Sequence, residues 1–192
     1  MIEDYKFWLA LIAVVLSLYA YIPYLASILK GETKPHLFSW IIWTVLALIA
    51  VTILFAAGAG MGAWPSAVAA LTACVITILA IKYGTKDIKR SDYVFFFASL
   101  SAIPLWIVTK DPTYSAFLVT GITITAAFPT IRKSWHYPAQ EVMSTYGINI
   151  IRFILSIMAL ESFSIATTVF PAGMVFMNGM IFGVLLLRRK YK

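Results

Sequence analysis

Cysteine and charge are what this sequence has least of. Cys74 is the single cysteine among 192 residues, so neither an internal disulfide nor a Cys-rich metal site can form. Only 12% of the residues are charged, against about 25% in a soluble domain. No Asp or Glu falls near the middle of a long apolar run, so proton coupling through an intramembrane carboxylate is not evident, Glu161 being the nearest candidate. The last apolar run contains no lysine, which excludes a retinal Schiff base in the usual rhodopsin position. The Gly58-Ala59-Gly60-Met61-Gly62 stretch lacks the Lys-Ser/Thr of a phosphate loop and reads as a turn. The two histidines, His36 and His136, stand near prolines with no carboxylate cluster beside them, so a metal or catalytic pair is not expected. No nucleophile–base set is visible, and the chain is not expected to be an enzyme or to hold a cofactor.

What is there instead is apolar surface. Hydrophobic residues make up 61% of the chain, too much to hide in one soluble core. The N-terminus is acidic and its apolar run continues to Leu29, so it reads as a retained first helix rather than a secretory signal. Seven runs follow one another: about Phe7 to Leu29, Pro35 to Ala56, Trp64 to Tyr83, Asp92 to Thr109, Pro112 to Ile131, Pro138 to Leu160, and Phe170 to Leu187. Each approaches the roughly 20 residues a helix needs to cross the hydrocarbon core. The segment Ser162 to Val169 either extends the sixth helix or forms the loop after it. Asp111-Pro112 is an N-cap with proline at the first helical position, and Ser91-Asp92 caps the fourth helix. Pro35, Pro65, Pro138 and Pro171 fall where helices should begin, and Glu141 falls in the first turn of the sixth, where the helix dipole favours an anion.

Charge orients the runs. With seven spans, 12 of the 15 Lys and Arg residues fall on one side and only Lys6 and Lys110 on the other, Arg152 lying inside the sixth run. Positive residues mark the cytoplasmic side, which predicts an N-terminus outside and a basic C-terminus inside. The net charge of +7 is therefore a topology signal, and no nucleic-acid partner is expected. The partners implied are the lipid bilayer and a small solute, with room for a homo-oligomer. The expected location is the plasma or inner membrane.

The chain also repeats itself. Pro23 and Pro129 are 106 residues apart, as are Pro65 and Pro171, and Lys82 and Arg188 close the third and seventh runs at the same offset. Helices one to three thus match helices five to seven, with the fourth left over. The extra helix restores the orientation, giving parallel repeats related by an axis along the membrane normal. The expected fold is an all-α membrane protein of seven transmembrane helices in a 3+1+3 plan. Residues 1–90 form the first three-helix repeat, 91–110 the linker helix, and 111–192 the second repeat.

This plan, with the stretch Pro23-Tyr24-Leu25-Ala26-Ser27-Ile28-Leu29-Lys30-Gly31-Glu32-Thr33-Lys34 and the shorter Pro129-Thr130-Ile131-Arg132-Lys133-Ser134, resembles the SWEET and PQ-loop transporters. Tyr24 and Thr130 stand where the PQ-loop pattern has glutamine. The resemblance implies hinge roles for Pro23 and Pro129 in alternating access. It also implies a solute site that includes an asparagine of the last helix of a triple, which Asn178 matches. Thr72 holds the repeat-equivalent position, so the paired asparagine of the sugar transporters is absent.

Independently of the resemblance, Arg152 is the sharpest single feature, because a charge near mid-bilayer costs roughly 3 kcal/mol on insertion scales. Thr145, Asn149, Arg152 and Ser156, spaced 4, 3 and 4 apart, lie on one helical face. Either they line a central path, with Arg152 meeting an anionic or hydrogen-bonding solute, or Arg152 is structural and pairs with Glu161, tyrosine hydroxyls or carbonyls. Asn178 either binds solute or bonds across helices. Ser17, Tyr21 and Tyr24 on the first helix, Ser39, Trp40, Trp43 and Thr44 on the second, and Thr120 and Thr123 on the fifth suit a small polar molecule with an apolar face. The substrate-binding set is Arg152, Asn149, Asn178, Thr72, Trp43, Tyr21 and Thr123. The function expected is a facilitator of a sugar, amino acid or organic anion by alternating access; the alternative is a receptor on the same scaffold without net transport.

Overall fold

The computed structural model describes residues 2–85, 88–100, 104, 108 and 111–190, and among them every regular element is helical. The α-helices bounded within the described residues are, in order, α1 Ile2–Leu29, α2 Leu37–Ala56, α3 Trp64–Tyr83, α4 Arg90–Leu100, α5 Pro112–Thr125, α6 Phe128–His136, α7 Met143–Met158 and α8 Ile165–Lys190. Short 3₁₀ turns at Gly60–Ala63 and Pro138–Gln140 lead into α3 and towards α7. Among the described residues, five helical stretches are long and apolar enough to cross a membrane: Tyr5–Leu29, Leu37–Ala56, Gly60–Tyr83, Pro112–His136 and Ile165–Arg189. Their outward faces carry exposed apolar side chains, among them Ile22, Leu48, Leu71, Phe117 and Phe176. A soluble monomer rarely leaves contiguous apolar faces open; a bilayer covers them. The chain is an all-helical, multi-pass membrane protein.

Where the structure departs from the expected runs, the local chemistry says why. The sixth run does not begin at Pro138. After the 3₁₀ turn the chain is extended at Glu141, and α7 covers only 16 residues. At 1.5 Å per residue it spans about 24 Å, short of the roughly 30 Å core. The last helix starts five residues before Phe170, because Ser164 and Thr167 cap each other. The Ser164 N–H donates to Thr167 Oγ1 at 3.0 Å and the Thr167 N–H donates to Ser164 Oγ at 3.2 Å. Pro171 consequently lies inside α8 rather than at its start, and residues 162–169 divide between a loop and that helix. The fourth run is described as 11 helical residues; most of 101–110 lies outside the described residues, so the linker helix of 91–110 is seen only in part. Asp111 behaves as expected, its Oδ1 accepting from the Tyr114 N–H at 2.8 Å with Pro112 in the first turn.

The two expected hinge prolines differ. Pro23 sits inside an unbroken α1. Pro129 follows a break at Ala126–Ala127 that divides the fourth long span into α5 and α6, as a ring without an N–H demands. At the break the Ala127 N–H donates to Ile124 C=O at 3.0 Å, three residues back. The Thr123 carbonyl thereby loses its helical partner and accepts from Trp43 Nε1 at 3.0 Å instead.

Packing follows a paired pattern. α3 lies against both α1 and α2, and α8 lies against both α5 and α7; across the centre, α1 packs on α7 and α2 on α5. The loops sort by charge. Lys34, Pro35, Thr85, Asp92, Arg132, Lys133, Pro138, Glu141 and Arg189 bond to one another at one end of the bundle. At the other end, Lys6 Nζ donates to Leu160 C=O at 2.7 Å and the Met61 N–H to Glu161 Oε1 at 3.1 Å.

Candidate functional site

A cavity lies at the centre, between the two groups of helices. Its free space is about 50 Å³, enough for a few water molecules. α1, α2 and α3 contribute Tyr21, Tyr24, Trp40, Trp43 and Ser66; α5, α7 and α8 contribute Thr123, Thr145, Asn149, Arg152, Phe170 and Asn178. The aromatic wall is built edge to face: Trp40 meets Trp43 at 5.2 Å and Tyr21 at 6.4 Å between ring centroids.

The polar face expected on the sixth run exists. Thr145, Asn149, Arg152 and Ser156 are all buried on α7, and Arg152 is 0% exposed. Their partners lie across the bundle. Thr145 Oγ1 donates to Ala20 C=O at 2.8 Å, Asn149 Nδ2 to the Tyr21 hydroxyl at 3.5 Å, Arg152 Nη1 to Pro65 C=O at 3.2 Å, and Ser156 Oγ to Gly62 C=O at 2.7 Å. The stripe is thus a seam tying α7 to α1 and to the start of α3.

Arg152 reaches no carboxylate among the described residues; Glu161 bonds to Met61 instead. Its Nε donates to Asn149 Oδ1 at 2.6 Å, and its guanidinium lies 3.9 Å from the Phe153 ring centroid and 6.0 Å from that of Tyr21. Nη2 has no hydrogen-bond partner, and neither do two other buried hydroxyls of the lining, Ser66 Oγ and Tyr24 Oη. A buried cation without a counter-ion is costly, so a free donor on it is a vacant bonding capacity rather than a packing detail.

Of the expected binding residues, Arg152, Asn149, Asn178, Trp43, Tyr21 and Thr123 come together around this cavity, and Thr72 does not. Thr72 Oγ1 turns back to Val68 C=O at 2.8 Å, while Ser66, Ala69 and Ala73 take the inner face of α3. Asn178 Nδ2 likewise bonds its own helix, at Met174 C=O, 2.7 Å.

Beside the cavity, at the basic end, is a buried polar cluster that sequence reasoning missed. Glu141 was expected in a helix dipole; it is 1% exposed and pairs with Lys133, while Tyr146 Oη donates to its other oxygen at 2.8 Å. Lys133 Nζ also donates to Lys34 C=O at 2.6 Å. Arg132 grips Asp92 with Nη1 and Nη2 at 2.7 and 2.9 Å, and Asp92 also bonds His36 Nε2 at 3.2 Å. A carboxylate only accepts, so Nε2 carries the ring proton and Nδ1 faces the Ser39 hydroxyl at 3.4 Å. Burial holds the His36 pKa below its ordinary value, against the opposing pull of Asp92. The only advance signal was weak: a His and a Glu, each next to a proline-bearing loop of the basic side.

These features define a polytopic helical membrane protein with an internal, singly cationic cavity. No protein-family model matches the chain, and neither a curated protein nor a solved structure shows significant similarity to it.

Proposed function

We propose that the protein moves a small polar solute, such as a sugar, amino acid or organic anion, across the membrane by alternating access between two bundles of three helices. In this reading α4 and the residues after it form a linker, α7 crosses as the sixth of seven spans, and the basic end faces the cytoplasm. Two parallel repeats then make the carrier similar in plan to the SWEET and PQ-loop transporters. The packing of α3 with α1 and α2, echoed by α8 with α5 and α7, supports the repeat. One observation carries the functional reading: the polar cavity lies between the two bundles, and both supply its lining. A site at such an interface is where rocking of one bundle against the other changes exposure from one side to the other. Pro129, at the break between α5 and α6, is the better placed of the two hinge candidates.

The test is counterflow. Purified protein in liposomes loaded with a panel of sugars, amino acids and carboxylates should accelerate uptake of at least one labelled solute. That acceleration should fall in Asn149→Ala. Saturable binding without any counterflow would turn the reading to a receptor, and neither binding nor exchange across the panel would overturn it.

A further inference from the structure

Resting on that reading of the cavity, we infer that its ligand is a small monovalent anion, held by Arg152 and the Ser66 hydroxyl. The argument begins with charge. Arg152 is the only charged residue in the lining, no carboxylate pairs with it among the described residues, and it is fully buried. The nearby Glu141 is already matched by Lys133. The cavity therefore carries one uncompensated positive charge. A monoanion neutralises it; a dianion would leave one negative charge buried in its place, and a neutral ligand would leave the cation unpaired.

The hydrogen-bond inventory narrows the class further. Thr123, Thr145 and Trp43 each spend their one donor on a backbone carbonyl, Asn178 spends one of its two amide N–H groups in the same way, and Asn149 bonds both Arg152 and Tyr21. Three polar atoms of the lining are without a partner, Arg152 Nη2 and the Ser66 and Tyr24 hydroxyls, and of these Ser66 directly follows Pro65, whose carbonyl already holds the other guanidinium nitrogen. Arg152 Nη2 and the Ser66 hydroxyl, brought together through Pro65, suit one oxyanion head. They do not charge-match a sugar, which would leave the guanidinium without a counter-ion. Size agrees: 50 Å³ of free space accommodates about four water-sized groups. Acetate and nitrate are of this size. They share the planar, singly charged oxyanion chemistry and differ in source, one a carboxylate and the other inorganic.

The experiment uses the whole chain in lipid nanodiscs, with thermal unfolding read against acetate, nitrate, chloride, sulfate and glucose at matched ionic strength. Acetate, nitrate or both should raise the midpoint saturably, while sulfate and glucose should not. A response to acetate alone assigns a carboxylate, and one to nitrate alone assigns an inorganic anion. Ser66→Ala should keep the ligand-free midpoint and weaken the apparent affinity about 3- to 10-fold, the worth of one hydrogen bond. Arg152→Gln should abolish the response. Should that variant fail to fold, the Ser66→Ala affinity loss still decides. An anion response that is unchanged in Ser66→Ala, a preference for sulfate or glucose, or no response at all would overturn the inference. Counterflow separates the two readings: anion binding without exchange retains this site and retires transport, whereas exchange of a neutral solute without anion binding does the reverse.

Discussion

Replacing Glu141 by Gln is the sharpest test of the forces holding the basic end together. The substitution keeps the shape and removes the charge that Lys133 faces. Both side chains are nearly inaccessible, Lys133 at 2% and Glu141 at 1%. Removing one partner of a buried pair strands the other, at a typical cost of about 3–5 kcal/mol. Lys133 Nζ would retain the Lys34 carbonyl at 2.6 Å and the Gln140 carbonyl at 3.4 Å, so the low end, about 3 kcal/mol, is expected. Tyr146 can still donate to the amide oxygen, which leaves its 2.8 Å hydrogen bond largely intact. For a chain of this length that corresponds to a fall of about 6–12 °C in the unfolding midpoint. The assay is SDS-driven and thermal unfolding followed by tryptophan fluorescence, run as a cycle with Lys133→Met. The double variant should recover much of the loss, because removing both charges leaves no ion unpaired. A Glu141→Gln loss below about 1 kcal/mol, or costs that simply add in the double variant, would refute a structural ion pair here.

His36 supplies a pH dependence. Its pKa in the folded protein lies below the free value of 6.5, so its contribution is complete above pH 6.5 and is lost as pH falls through the folded value; His36→Gln should flatten that part of a stability-against-pH curve, and an unchanged slope would refute it. Gly62 and Gly121 form a contrast: an added Cβ at Gly62 would meet Leu160 at 2.8–3.0 Å, and at Gly121 it would meet nothing within 4 Å. Gly62→Ala should therefore cost about 1–3 kcal/mol in SDS unfolding, while Gly121→Ala should be neutral or gain up to about 1 kcal/mol. Trp43→Phe leaves the Thr123 carbonyl unpaired at the α5–α6 break and should cost about 1–3 kcal/mol in the same assay; no loss would mean that the carbonyl finds another donor.

Periodic features were legible in the sequence, and features made by distant segments were not. The face of Thr145, Asn149, Arg152 and Ser156 follows from helical spacing alone, and the structure buries all four. Arg152 could be placed inside the bundle because lipid does not tolerate a bare guanidinium, but its partner could not. The Pro65 carbonyl is 87 residues away and carries no side-chain signature. Thr72 lies outside the lining for a related reason: a fixed repeat offset assigns equivalence along the chain but not rotation about the helix axis. One residue further on, Ala73 occupies the inner face. Glu141 misled because the Pro138 signal that starts a helix here starts a 3₁₀ turn instead. His36, Asp92 and Arg132 belong to three different segments, so no local pattern could join them.

The polar bonds are also distributed unevenly, and that bears on how the bundles could separate. Inside a bilayer, apolar contact distinguishes poorly between helix and lipid, so interhelical hydrogen bonds and close packing choose the partners. Along α7 four side chains reach α1, α3 or the turn before it. Across the matching α2–α5 contact, Trp43 to Thr123 is the interhelical hydrogen bond found among the described residues. The α1–α7 side is therefore the stiffer of the two central contacts. The α2–α5 side joins through a carbonyl that the break before Pro129 leaves without its helical partner. A rocking motion that opens the cavity by pivoting on the α7 seam and parting α2 from α5 would strain one hydrogen bond of that helix contact, together with the Lys133 and Arg132 bonds of the basic end. On that account Trp43→Phe and Ser156→Ala, each removing one bond of similar strength, should differ in their effect on exchange. Trp43→Phe should make opening easier, whereas Ser156→Ala should loosen the pivot without easing the opening.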